Sequence, residues 1–294
     1  MKNSTLFETL QSLNLTSLET RELFNSRTRD VANLKVWRDR VSGVIYIDEY
    51  YTGDQTYIDG RYVKEHLLLQ SGSASFEEST DAVRRFDSNL RFVSGKRVLD
   101  FGCGNGRFLR LINEHCGLVA GVEIQSDYVD ALNSDSITCA TSLEDIDDMS
   151  FDVCVSFHVL EHLPDPVEVL RKIKNKLTNG GRLIVEVPHA NDFLLSTIKN
   201  EPFKQFTLWS QHLLLHTRES LRRMLTYAGF QNIEIQGVQR YPLSNHLNWL
   251  ANGKPGGHKH SLGLIDNDAL KVAYAESLAQ IDATDTLVAT ATVP

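Results

Sequence analysis

Cysteine is scarce in this chain and never falls in a paired motif. Cys103, Cys116, Cys139 and Cys154 stand singly with no C-x-x-C spacing, which argues against a disulfide framework or a zinc cage and for isolated buried thiols. No stretch approaches the ~20 apolar residues of a membrane span. Glu8 interrupts any apolar run after Lys2, so a secretory leader is not expected. Basic excess is missing too. A net charge of −8 gives the molecule as a whole no attraction for nucleic acid or an anionic membrane. Internal repeats and low-complexity runs are absent. What remains reads as a cytoplasmic globular chain of 294 residues, 41% apolar and 23% charged. That is enough to bury a sizeable core as one domain with appendages or two small domains.

One further lack is more informative. Val98-Leu99-Asp100-Phe101-Gly102-Cys103-Gly104-Asn105-Gly106-Arg107-Phe108-Leu109 reads as a strand, a tight turn that brings backbone close to a ligand, and a helix start. A dinucleotide site would place a third glycine where Arg107 stands. Asp100 at the strand end would repel a pyrophosphate and attract a cationic amine or sulfonium. Twenty-one residues after Gly102, a second strand (Leu118 to Ile124) brings Glu123 to its end, where a carboxylate suits two ribose hydroxyls. A ribose and a cation without phosphate describe S-adenosyl-L-methionine. The competing cofactor on such a fold is a nicotinamide dinucleotide, as in an oxidoreductase or epimerase; Asp100 and Arg107 argue against it.

With these residues the chain resembles the class I S-adenosylmethionine-dependent methyltransferases, closest to the small-molecule branch of quinone and sugar methyltransferases, over roughly residues 80 to 240. The resemblance implies a doubly wound, seven-stranded Rossmann-like α/β sheet with helices on both faces. It implies that Asp100, Phe101, Gly102, Cys103, Gly104 and Gly106 hold the methionyl end, Glu123 and Ile124 the ribose, and the turn at Ser142 and Leu143 the adenine. Phe157 and His158 follow the fourth strand, and Phe157-His158-Val159-Leu160-Glu161-His162-Leu163-Pro164-Asp165-Pro166 matches the pattern small-molecule methyltransferases carry there. It is not the Asn/Asp-Pro-Pro-Tyr/Phe pattern of nucleobase amine methylation, and no Pro-Cys nucleophile is present. The zinc-binding cysteine cluster of some sugar methyltransferases is missing as well. A non-catalytic S-adenosylmethionine-binding protein is the third reading.

Along the chain, Leu6, Leu10, Leu13 and Leu18 at loosely helical spacing predict that residues 1 to about 30 are helical. A hairpin follows across Ser42-Gly43. The tyrosine-bearing segment Glu49 to Tyr62 is a surface loop or a cover over the cofactor. Strands are expected at Arg97–Phe101, Leu118–Ile124, Ile137–Ala140, Phe151–Phe157, Arg182–Val187 and Asn232–Val238. Pro166 should open a helix that ends at Asn179-Gly180-Gly181, and Thr217 should cap another. By the resemblance, Thr286 to Thr292 is the closing antiparallel strand, and 241 to 284 an insertion with a helix from about Asp266 to Ile281. The expected divisions are an N-terminal helical and hairpin segment (1–90), a cofactor-binding core (91–240) and a substrate-side insertion with the final strand (241–294).

Methyl transfer to a hydroxyl or carbon acid needs a proton removed, for which histidine is suited near neutral pH. His158 and His189 follow strands four and five. His212 is ranked first, by likeness to the Glu-His pair of some sugar methyltransferases, although Gln211 replaces the glutamate. His162 is read as packing or capping. No metal ligands are assigned. Two lysines and two histidines in Asn252–His260 form a cationic patch, which points to an anionic small-molecule substrate such as a nucleotide-linked sugar or to a solvated loop.

Overall fold

The computed structural model of the chain describes residues 6–58, 60 and 74–294. A short helix α1 (Leu6–Ser12) leads into an antiparallel set, β1 (Arg21–Asn25), β2 (Val36–Asp39) and β3 (Ile45–Ile47). The long N-terminal helix expected from the leucine spacing is therefore cut short. Asn14 takes a left-handed conformation (φ 54°) that stops it, Leu18 is exposed, and residues 21 to 25 pair with β2 instead. The hairpin between β2 and β3 forms as expected, turning at Gly43 (φ 73°). Of the tyrosine segment, α2 (Asp54–Ile58) is described; Tyr62 lies outside the described residues.

Helix α3 (Ala74–Val93), which the sequence reading did not assign, delivers the chain to β4 (Arg97–Phe101). The core continues through α4 (Arg107–Ile112), β5 (Leu118–Val122), α5 (Ser126–Ser134), β6 (Thr138–Ala140) and β7 (Phe151–Phe157). It is completed by α6 (Pro166–Lys176), β8 (Leu177–Pro188), α7 (Glu201–Thr207), β9 (Leu214–Leu215), α8 (Arg218–Tyr227), β10 (Gln231–Val238), α9 (Leu243–Asn252), α10 (Asp268–Gln280) and β11 (Thr286–Thr292). The main sheet runs β6-β5-β4-β7-β8-β11-β10; β11 is antiparallel to both neighbours, while the pairs from β6 across to β8 are parallel.

Strand alternation sends side chains to opposite faces. On β8, Leu183, Val185 and Val187 enter one cluster with α6 and α8, whereas Ile184 enters a second with α4 and α5. Both faces of the sheet are thus covered, as a parallel sheet requires. The Pro166 helix begins as read, capped by Asp165, but ends at Lys176 rather than at Asn179. Leu177 is already extended and pairs with Phe151, so sheet pairing wins over three more helical residues. Thr217 caps α8 with a reciprocal Ser220 bond.

Two connections position the site. The order of the strands reverses between β4 and β7, and ligands bind beyond the carboxyl ends at such a switch point. β9 pairs with β3 (Tyr46↔Leu214), so the N-terminal hairpin and the segment carrying His212 share a small sheet. One apolar cluster runs from Leu6 and Tyr46 to Leu99 and Val185, crossing the division expected near residue 90.

Candidate active site

The turn after β4 is built for close approach. Gly102 and Cys103 donate their N–H groups to Val122 O (2.8 and 3.2 Å), which fastens the turn to β5. At Gly102 (φ 77°) a Cβ would lie 2.3 Å from Val159 Cγ2, whereas at Gly104 it would meet nothing within 4 Å among the described residues. The first glycine is required by packing; the second leaves open space above bare backbone. Gly106 belongs with the first. A Cβ there would strike Leu132 Cδ2 at 2.2 Å, and Gly106 is not among the residues that line the cavity.

That cavity, about 980 Å³, runs along the carboxyl edge of the sheet from Asp100 and Glu123 at one end to His212 and Trp249 at the other. Its wall includes Phe101, Gly102, Cys103 and Gly104, Ile124 beside Glu123, Ser142 and Leu143 after β6, and Phe157 and His158 after β7. The structure therefore brings together every residue expected to hold the cofactor except Gly106. Tyr51 and Tyr57 line it as well, which favours the cover over the plain surface loop.

Electrostatics distinguish the two ends. Asp100 is buried and its carboxyl is pushed up to about 7, first by burial and also by Glu123, with Arg85 opposing. Burial also raises Glu123, although Gly104 N and Gln125 N each donate to it at 2.9 Å. Two carboxylates in a low-dielectric pocket are costly when both are charged, and a cationic ligand relieves that cost. The open backbone at Gly104, the paired acids and the length of the cavity fit S-adenosylmethionine.

At the far end, His158 sits between two buried carboxylates, with Nδ1 at 3.0 Å from Glu161 Oε1 and Nε2 at 3.1 Å from Glu186 Oε1. Burial and Arg240 push its pKa down, but these carboxylate contacts outweigh both and raise it above the ordinary histidine value. A ring engaged at both nitrogens by carboxylates has neither nitrogen turned to an acceptor hydroxyl. Glu186 also receives Arg84 and Arg85 from α3, so His158 belongs to a tie between α3, β8 and the loop after β7. Burial lowers the His189 pKa to about 4; its Nδ1–H donates to Thr284 O (2.9 Å). It does not line the cavity, which removes it as a base.

His212 does line the cavity, and its buried Nδ1 has no hydrogen-bond partner. Burial, then the neighbouring His162, keeps it well below its ordinary pKa, with Arg29 adding to the effect and Glu161 opposing it. His162, read from sequence as local packing, lines the cavity too; its Nδ1–H donates to Gln211 O at 2.8 Å. Glu161 is fully buried, and its Oε2 also lacks a hydrogen-bond partner. Glu161, His162 and His212 place one donor atom each within 4.8 Å of one another. The sequence held a signal for this, since Glu161-His162 stand in the motif after the fourth strand, but nothing tied them to residue 212. Asp192, Asp285 and the aromatic wall of Phe203, Phe206, Trp209 and Trp249 had no signal at all. In the 252–260 loop, Lys259 and His260 reach the cavity and Lys254 does not.

A carboxyl-edge cavity with paired acids beneath a glycine turn, on a sheet whose last strand is antiparallel, defines an S-adenosylmethionine-dependent methyltransferase of class I. Residues 76–235, more than half of the chain, match the methyltransferase-domain family model, and the chain belongs to that family. It is 24% identical over 169 residues to a ubiquinone biosynthesis O-methyltransferase of Coxiella burnetii (strain Dugway 5J108-111), covering 53% of this chain and 72% of that one. It is 32% identical over 143 residues to a 27-O-demethylrifamycin SV methyltransferase of Amycolatopsis mediterranei, covering 44% and 51%. A SAM-dependent methyltransferase structure from Archaeoglobus fulgidus shares the fold, with a TM-score of 0.52 at 20% identity over 79% of this chain and 99% of that one. The protein is an enzyme whose cofactor is S-adenosylmethionine, as the glycine turn and its acids implied. Among the described residues no helix is long and apolar enough to cross a membrane.

Proposed function

We propose that the enzyme methylates a hydroxyl on a ring-bearing small molecule seated at the far end of the cavity, with Glu161, His162 and His212 receiving that hydroxyl. One observation carries this: a continuous cavity joins the acid-flanked glycine turn to Glu161, His162 and His212, whose donor atoms converge within 4.8 Å. S-adenosylmethionine bound at the first end supplies an already activated methyl group, so the chain has to align and deprotonate a nucleophile. Asp100, the 101–104 turn, Glu123, Ile124, Ser142, Leu143 and Phe157 are the proposed cofactor surface.

The acceptor assignment draws on the wall opposite. Phe203, Phe206, Trp209 and Trp249 offer aromatic faces, which suit a planar or apolar ring. Of the two relatives named above, one is a ubiquinone biosynthesis O-methyltransferase and the other a 27-O-demethylrifamycin SV methyltransferase. A sugar hydroxyl, the expectation from the resemblance, also stacks on tryptophan. Lys259 and His260 at the rim suit an anionic substituent on either.

The test is transfer from methyl-labelled donor to a panel of phenols, vicinal aromatic diols, free sugars and nucleotide-linked sugars, with the label located by NMR. Label on a phenolic oxygen supports the reading in full, and label on a sugar oxygen redirects the ring class. Label on carbon or nitrogen, or turnover only with a nicotinamide cofactor, overturns it.

A further inference from the structure

We infer that Glu161, His162 and His212 form a binding site for a divalent first-row transition cation, placed where the acceptor hydroxyl must sit. The inference rests on the proposed function for its purpose, but not for its geometry. Two imidazoles and one carboxylate come together from two separate segments, the loop after β7 and the residues before β9, with donor atoms within 4.8 Å of one another. Ligands ~2.1 Å from a common ion lie at most ~4.2 Å apart, so small side-chain rotations complete the set.

The surrounding bonds prepare these donors. His162 donates Nδ1–H to Gln211 O, which fixes the tautomer and leaves Nε2 with a lone pair, the arrangement that orients metal-binding histidines. Glu161 Oε1 is held by His158 Nδ1, which is in turn braced by Glu186, while Oε2 of this fully buried side chain has no hydrogen-bond partner. A buried, unpartnered carboxylate oxygen is expensive. Ring contacts of Trp209 with His162 and His212, and of Tyr57 with His162, wall off part of the space around the donors.

The mixed nitrogen and oxygen set favours zinc, manganese or ferrous iron over magnesium, which prefers oxygen ligands. A cation at this point stabilises the alkoxide or phenoxide form of a hydroxyl beside it. The proton leaves to water, the O–CH3 bond forms and the S–CH3 bond breaks, giving a neutral thioether; nothing is oxidised or reduced.

Chelator-treated protein is titrated with Co2+ alone and followed by visible absorption, with metal content measured after gel filtration. One cation per chain, with the intense ligand-field bands of low-coordinate cobalt, is expected. His212→Ala and His162→Gln should each weaken binding by more than about 10-fold, while His115→Ala, on an exposed residue, should not. Circular dichroism of each variant separates loss of a ligand from loss of fold. Bands absent from the wild type, or unchanged in folded His212 and His162 variants, overturn the cation site and leave methyl transfer standing. Cobalt bound through these residues while no hydroxyl is ever methylated supports the cation site and overturns the proposed function instead. Recovery of chelator-suppressed methylation by Zn2+ or Mn2+ but not Mg2+ supports both.

Discussion

The two ends of the cavity are made by different means. The proposed cofactor end is nearly all backbone and acid: a glycine turn, Asp100 and Glu123, supplied by consecutive strands β4 and β5. The proposed acceptor end is side chains: Tyr57 from α2, Glu161 and His162 after β7, His212 before β9, Trp249 from α9 and Lys259 from the insertion. The first is charge-poised and empty of histidine; the second is crowded with histidine and aromatic rings. Selecting one fixed nucleoside cation needs few groups held rigidly in the sheet. Selecting an acceptor needs many groups that vary independently.

Four experiments press on this contrast. The largest effect is expected from Asp100→Asn, which should weaken S-adenosylmethionine binding by roughly 30-fold or more, as loss of a buried charge partner does. Calorimetry should show a smaller loss for the neutral product S-adenosylhomocysteine, and equal losses would mean that charge does not define this end. The same residue gives a pH signature. Its folded pKa of about 7 lies above the unfolded value of ~3.9, so ionising it destabilises the ligand-free fold progressively between those values and fully above the upper one. Asp100→Asn should therefore raise Tm at pH 8 and leave it unchanged near pH 4, while wild-type cofactor binding should tighten from pH 6 to 8 with proton release.

Gly102→Ala should cost about 1–3 kcal/mol of stability, because the added Cβ overlaps Val159 at a positive φ; an unchanged urea midpoint would deny that the turn is packed as described. Phe206→Ala should raise the acceptor KM about 10-fold by removing apolar contact, with the cofactor Kd within twofold. A shift in the cofactor Kd instead would merge the two ends. Smallest is Lys259→Ala, about a 2–3-fold rise in KM for an anionic acceptor, in line with a partly exposed charge contact, and none for a neutral one.

The same contrast explains what was legible in the sequence. β4 and β7 have the residue limits read from their apolar runs, and β11 those that the resemblance implied, and Asp100, Gly102, Gly104 and Glu123 stand together because a local turn and one strand pair place them. His212 was reached only through a family likeness, and its companions Glu161 and His162 are some fifty positions away. Nothing local encodes that meeting; it depends on β9 adding to the hairpin sheet through Leu214 and Tyr46, on Leu213 N bonding Glu161 O (2.7 Å) and on His162 reaching Gln211 O. His189 was misread for the related reason that the right sheet edge does not say which way a ring points. Helix α3 was missed because its mean hydropathy is low and its anchors are ionic: Asp81 to Arg240, and Arg84 and Arg85 to Glu186.

The insertion leaves the sheet after Val238 and returns at Thr286, and those two residues are paired neighbours in register. A segment whose two roots are already clasped together resembles an accessory clipped to a frame. Lengthening or replacing it closes no new gap in the sheet, and loop-closure entropy grows only slowly with length. Because Trp249 and Lys259 both ride on that segment, exchanging it would refit one part of the proposed acceptor wall while the turn after β4 stays as it is.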